Sequence, residues 1–261
     1  MASAPQQPQL PLFYNDLMPL NSQDHRNYRT RGVDKAPWLA KTHALPITVD
    51  EFVQVQRHYP IVFSVGDNPL PLALMGLNEG VNTFVDDEGK MSEPVYLPAY
   101  VRRYPFMLAR LKPEGDELSL CFDPTSEAIG EFSEGEVLFD EGGQTTEATK
   151  RILEFCQHFE QAAQRTQAFL EEIKKADLLM DGEVSIQQDG QEQPFVYRGF
   201  RMINQEKLQE LAPAKLEEWS KNGLLPLIHA QMFSLDLMRT IFARQVHQGR
   251  GPQGQQSGTL N

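Results

Sequence analysis

Between Pro98 and Pro105 the chain reads PAYVRRYP, and this block concentrates the side chains best suited to hold a ligand. Tyr100, Arg102, Arg103 and Tyr104 stand between prolines that restrict the backbone on both sides. A guanidinium is a rigid planar fork matched to carboxylate or phosphate, and an adjacent tyrosine can stack on it or share its ligand. His58, beside Tyr59 and just before the apolar run PIVFS, is a further candidate contact. Two readings follow. These residues contact an anionic ligand or partner, or one arginine pairs internally with a carboxylate of the acidic stretch that follows while the tyrosines pack.

No catalytic residue is assigned, because the local signatures of common chemistries are missing. The sequence has no GxSxG elbow, P-loop, HExxH or kinase set. Cys121 and Cys156 lie in no CxxC or Cys/His spacing, so neither a disulfide framework nor a structural zinc is expected. No metal or other cofactor is called for.

The net charge of −12 argues against a general nucleic-acid binder, which needs a basic face to neutralise phosphates. Most of that charge falls between Leu111 and Glu147, where Glu114, Asp116, Asp123, Glu131, Glu136 and their acidic neighbours face only Lys112. This stretch reads as a solvated surface; the spacing of an EF-hand loop is absent. Neither a signal peptide nor a membrane span is visible, so the expected location is the cytoplasm.

The elements that must position these residues predict an α+β fold. Residues 1–44 form an extended N-terminal arm anchored by Phe13, Tyr14, Leu17 and Trp38, with Arg26, Arg29 and Arg31 on a solvated or acid-paired face. A single domain covers 45–247, and 248–261 reads as a disordered tail. Thr48 and Glu51 have capping-box spacing and open a short helix. PIVFSV and LPLALMGL across Gly66-Asp67-Asn68-Pro69 form a hairpin, VNTFV a further strand, and FMLARL and LSLCF two more, giving an antiparallel sheet over 45–140. Pro98 to Tyr104 fits one helical turn.

From Thr145 the apolar period lengthens to three and four residues through Ile152, Cys156, Phe159, Leu170 and Ile173, an amphipathic helix ending at Asp181-Gly182. Such a helix is roughly 50 Å long and invites a partner, a second copy of the chain included. A hairpin turned at Asp189-Gly190 extends the sheet. Asn204 and Pro213 open two helices, and LLPLIHAQMFSLDLMRTIFARQV makes a final buried one.

HYPIVFS, GLNEGVNTFVDDEG, YLPAYVRRYPFML and FRMINQEKLQEL together resemble the SapC family of bacterial proteins, over roughly 45–246. This family is distinct from the similarly named peptide-transporter permease. The resemblance implies a link to surface-layer loci and to the neighbourhood of TonB-dependent uptake genes. It implies a non-catalytic cytoplasmic accessory or binding protein with a protein partner, encoded in the same operon. The alternative expectation is an enzyme acting on a small anionic molecule or peptide through Tyr100–Tyr104.

Overall fold

A computed structural model describes residues 10–33, 35–111, 117–188, 190, 193–252 and 258–259. Glu114, Asp116 and Asp189, on which expected turns depended, lie outside them. In chain order the strands are β1 (Met18–Pro19), β2 (Arg29–Thr30), β3 (Ala44–Pro46), β4 (Ile61–Phe63), β5 (Pro71–Leu74), β6 (Phe106–Arg110) and β7 (Leu118–Phe122). They continue with β8 (Ile129–Gly130), β9 (Glu136–Val137), β10 (Leu179–Asp181), β11 (Val184–Ile186), β12 (Phe195–Arg198), β13 (Arg201–Ile203) and β14 (Gly258–Thr259). The helices are α1 (Phe52–Val55), α2 (Ala99–Arg103), α3 (Glu147–Lys175), α4 (Gln205–Gln209), α5 (Pro213–Lys221), α6 (Leu224–Ser234) and α7 (Leu237–His247). The fold is α+β.

The chain forms two compact units, each built from segments far apart in sequence. Unit 1 comprises Met1–Asp34 and Arg103–Glu160, unit 2 Lys35–Arg102 and Gln161–Asn261. Pairing is antiparallel as expected, apart from the parallel pair β12–β14, but the strands make several small sheets in place of one.

Unit 1 holds the sheets β1-β7-β6 and β8-β2-β9, so the N-terminal arm supplies an edge strand to one and the central strand to the other. Phe106, Leu108, Phe122, Ile129, Leu138 and Cys156 form its core, with Ile152 and Leu153 of α3 packed against it. Among the described residues the arm's arginines are not paired with carboxylates. Arg29 Nη1 donates to the carbonyl of Gly135 at 3.0 Å and Arg31 Nε to that of Glu127 at 3.0 Å, while Arg26 reaches the carbonyl of Glu141. The long guanidinium forks find main-chain acceptors in the loops between β7 and α3, and Arg31 also lies over the Phe132 ring there.

Unit 2 centres on the sheet β10-β13-β4-β5-β3. The β4–β5 hairpin pairs Ile61 with Ala73 and Phe63 with Pro71. VNTFV is not a strand: Asn82 Nδ2 donates to the carbonyls of Leu39 and Thr42, and the Thr83 hydroxyl to that of Met75. Asn82 Oδ1 also takes the Phe84 amide, and the stretch forms the isolated bridge Val85–Met91 in place of a ladder. The later hairpin divides as well, since β11 and β12 pair with each other and β12 with β14, while β13 joins the central sheet. The final apolar stretch breaks into α6 and α7 at Leu235-Asp236. Beyond it, Gln248 Nε2 donates to the Thr83 carbonyl and Arg250 Nη1 to that of Asn82, which holds the start of the expected tail.

α3 ends earlier than its glycine suggested. Asp177 takes the left-handed position with φ +51, and the amides of Asp177 and Leu178 donate to the carbonyls of Lys174 and Ile173, a Schellman closure. Gly182 serves a different need: a Cβ there would lie 2.1 Å from the ring of Phe200, which is itself buried. Gly182→Ala is therefore expected to cost about 1–3 kcal/mol by overpacking. Denaturation followed by tryptophan fluorescence checks this, because Trp38 and Trp219 both lie in unit 2.

Candidate functional site

α2 is one short turn, and successive residues on a helix point about 100° apart. Arg102 and Arg103 thus leave it in different directions. Arg102 is exposed, whereas Arg103 is buried.

In unit 2 the turn is anchored by Glu51, a carboxylate only 5% exposed. Its Oε1 accepts from the amide of Ala99 at 2.6 Å and from the Tyr96 hydroxyl at 3.1 Å. Its Oε2 accepts from the amide and hydroxyl of Thr48, both at 2.9 Å, completing the capping box read from the sequence. The Tyr96 oxygen in turn accepts from Arg102 Nη2 at 3.0 Å, and the guanidinium lies 5.4 Å from the Tyr96 ring centre. Burial, reinforced by the Glu51 charge, pushes the Tyr96 phenol up to about 12, so it stays a neutral donor. α3 grips the neighbouring residues: Arg165 forks onto Asp50, and the Thr166 hydroxyl accepts from the amide of Val49 at 3.0 Å. The buried carboxylate sets the phenol, and the phenol sets the exposed arginine.

In unit 1 Arg103 is enclosed by rings, with its guanidinium 4.1 Å from the centre of Phe159 and 5.9 Å from that of Tyr14. Its carboxylate partner is Glu160, at 3.6 Å. The internal partner was expected within 111–147; the first half of α3 supplies it instead. Tyr104 meets Tyr14 edge-on at 5.2 Å and Phe13 at 6.5 Å. Burial raises its phenol pKa; Ser126 lowers it in part, and the Asp123 charge adds to the rise. Asp123, counted from the sequence among solvated acids, is fully buried. Its carboxylate accepts from the amides of Asn15 and Thr125, at 2.7 and 2.8 Å, and from the Thr125 hydroxyl at 2.7 Å.

Tyr100 is buried at 6% exposure, and His58 is half-buried with its ring 6.1 Å from that of Tyr59. Of the five residues singled out, Arg102 alone is exposed. Glu51 and Tyr96 were missed as site residues. The capping box marked Glu51, but nothing local in the sequence tied it to a tyrosine beyond the β4–β5 hairpin. Asp123 could have been found from Asp-Pro-Thr-Ser, a sequence apt for a turn closed by the aspartate side chain.

The cysteines are core groups. Burial raises both thiols, that of Cys156 to about 11 against a partial lowering by Arg103. At pH 8 both should resist a thiol-reactive disulfide reagent in the folded chain and react at once in denaturant. Prompt modification of either without denaturant would contradict this. Since both lie in unit 1, their reactivity reports the integrity of that unit.

Among the described residues no group of three or more His, Cys, Asp or Glu is placed to hold a metal ion, and no helix is long and apolar enough to cross a membrane. No curated protein and no solved structure matches the chain. The family model of SapC matches residues 20–241, which covers most of both units and the whole PAYVRRYP block. The chain belongs to the SapC family.

Proposed function

We propose that this protein is a non-catalytic cytoplasmic accessory or binding protein of a bacterial surface-layer or TonB-dependent uptake system, and that it engages an anionic group of a protein partner through Arg102. The observation carrying this reading is the chain of contacts from buried Glu51 through Tyr96 to exposed Arg102. An arginine already oriented by a ring and a phenol loses little rotamer freedom on binding, so more of its interaction appears as affinity. Groups of types able to do chemistry have structural work: His25 accepts the amide of Asn21, His229 Nδ1 contacts the Leu225 carbonyl, and both thiols are core. The surface-layer and uptake context comes from family membership.

The test is co-purification from the native host, with mass spectrometry of proteins and small molecules, for the wild type and Arg102→Glu. A partner protein retained by the wild type and lost in the still-folded variant is expected. Equal retention by both would remove Arg102 from the function. A retained small anionic molecule that the protein consumes would favour the enzymatic reading.

A further inference from the structure

The N-terminal segment of unit 1 is seated as a bound peptide would be, independently of the Arg102 surface. β2 lies between β8 and β9 and runs antiparallel to both, with Arg29 opposite Gly130 on one side and Val137 on the other. One extended segment thus closes two strand edges at once. Main-chain bonds continue along it, from Leu20 N–H to the Leu120 carbonyl at 2.9 Å and from Arg31 N–H to the Ala128 carbonyl at 3.0 Å. Peptides bound by strand addition share this pattern, with main-chain bonds for affinity and side-chain pockets for register.

The pockets are present. Tyr14 is buried and donates its hydroxyl to the Phe106 carbonyl at 2.8 Å. His25 is 3% exposed, its ring 4.8 Å from Tyr28 and 5.0 Å from Phe122. Arg31 lies 4.0 Å from the centre of Phe132 while donating to the Glu127 carbonyl. Charge is complementary as well, since the stretch receiving Arg29 and Arg31 carries Glu127, Glu131, Glu134 and Glu136. Phe13 holds φ +80, an uncommon conformation for a bulky side chain and one that the packing around Tyr104 must enforce.

We propose that residues 10–33 are an intramolecular peptide ligand, released and reseated as one piece while β6, β7 and the first half of α3 stay folded. The groove they fill accepts an extended partner segment with a tyrosine anchor upstream and arginines at alternate positions. A tethered occupant competes at an effective concentration on the order of millimolar, so a partner gains the groove most readily when the resident arm is weakened.

The experiment uses the full-length chain, wild type and Arg29→Ala/Arg31→Ala, with a fluorescent peptide copying residues 10–33. Hydrogen exchange of the wild type is expected to show arm amides opening about 100-fold faster than those of β6 and β7. Peptide anisotropy should rise saturably, with apparent affinity about tenfold tighter for the double variant. Exchange of the arm at the rates of β6 and β7, or no peptide uptake by either chain, overturns the proposal. So does loss of exchange protection in β6 and β7 of the double variant, because these strands would then not survive weakening of the arm.

Discussion

Replacing Gln231 by leucine is expected to destabilise unit 2 by on the order of 3 kcal/mol, although the two side chains are of similar size. β13 meets β4 at a single pair, Arg201 opposite Phe63, and the strands part beyond it. Gln231, fully buried on α6, fills the gap: its Nε2 donates to the Ile61 carbonyl at 3.0 Å and its Oε1 accepts from the Ile203 amide at 3.3 Å. Ser234, one turn on, accepts from the Ile61 amide at 2.8 Å. The amide acts as a missing rung of the ladder. Leucine strands a buried donor and a buried acceptor, each costing about 1–3 kcal/mol. Urea unfolding followed by Trp38 and Trp219 fluorescence should show a lower midpoint at unchanged slope. An unchanged midpoint would mean that the sheet holds together without α6.

Glu51→Gln is the second large effect, expected to cost about 2–4 kcal/mol, because several donors, two of them main-chain amides, converge on one buried carboxylate. A neutral amide turns one of its ends into a donor, and every group around Glu51 is already donating. Tyr96→Phe removes only the hydroxyl and should cost about 1 kcal/mol. The same fluorescence readout applies, as Thr48, Tyr96 and Ala99 all lie in unit 2. A Glu51→Gln loss no larger than that of Tyr96→Phe would show that the carboxylate does not anchor α2.

What could be read from sequence was whatever is local and periodic. The stripe of α3, the Thr48–Glu51 box, the β4–β5 hairpin and the Asn204 cap each need only neighbours within a few residues, and all formed. The arm's strands are two residues long and show no alternation, so their place in two sheets left no trace. Gln231 carried no local signal, because the groups it joins, Ile203 and Ile61, lie 28 and 170 residues away. The opposite fates of Arg102 and Arg103 depend on Tyr96 on one side and on Tyr14, Phe159 and Glu160 on the other. Sequence placed the two arginines together, and a helical turn separates them.

These adjacent arginines have opposite jobs, and one paired measurement tests that division. Arg102→Ala and Arg103→Ala are compared with the wild type for partner retention on co-purification and for thiol reactivity of Cys121 and Cys156. Arg102→Ala should lose the partner with thiols as protected as before. Arg103→Ala should expose the thiols, because removing a buried cation between two rings leaves a void beside Cys156 and costs on the order of 2–3 kcal/mol. Protected thiols in Arg103→Ala together with full partner retention in Arg102→Ala would contradict the account.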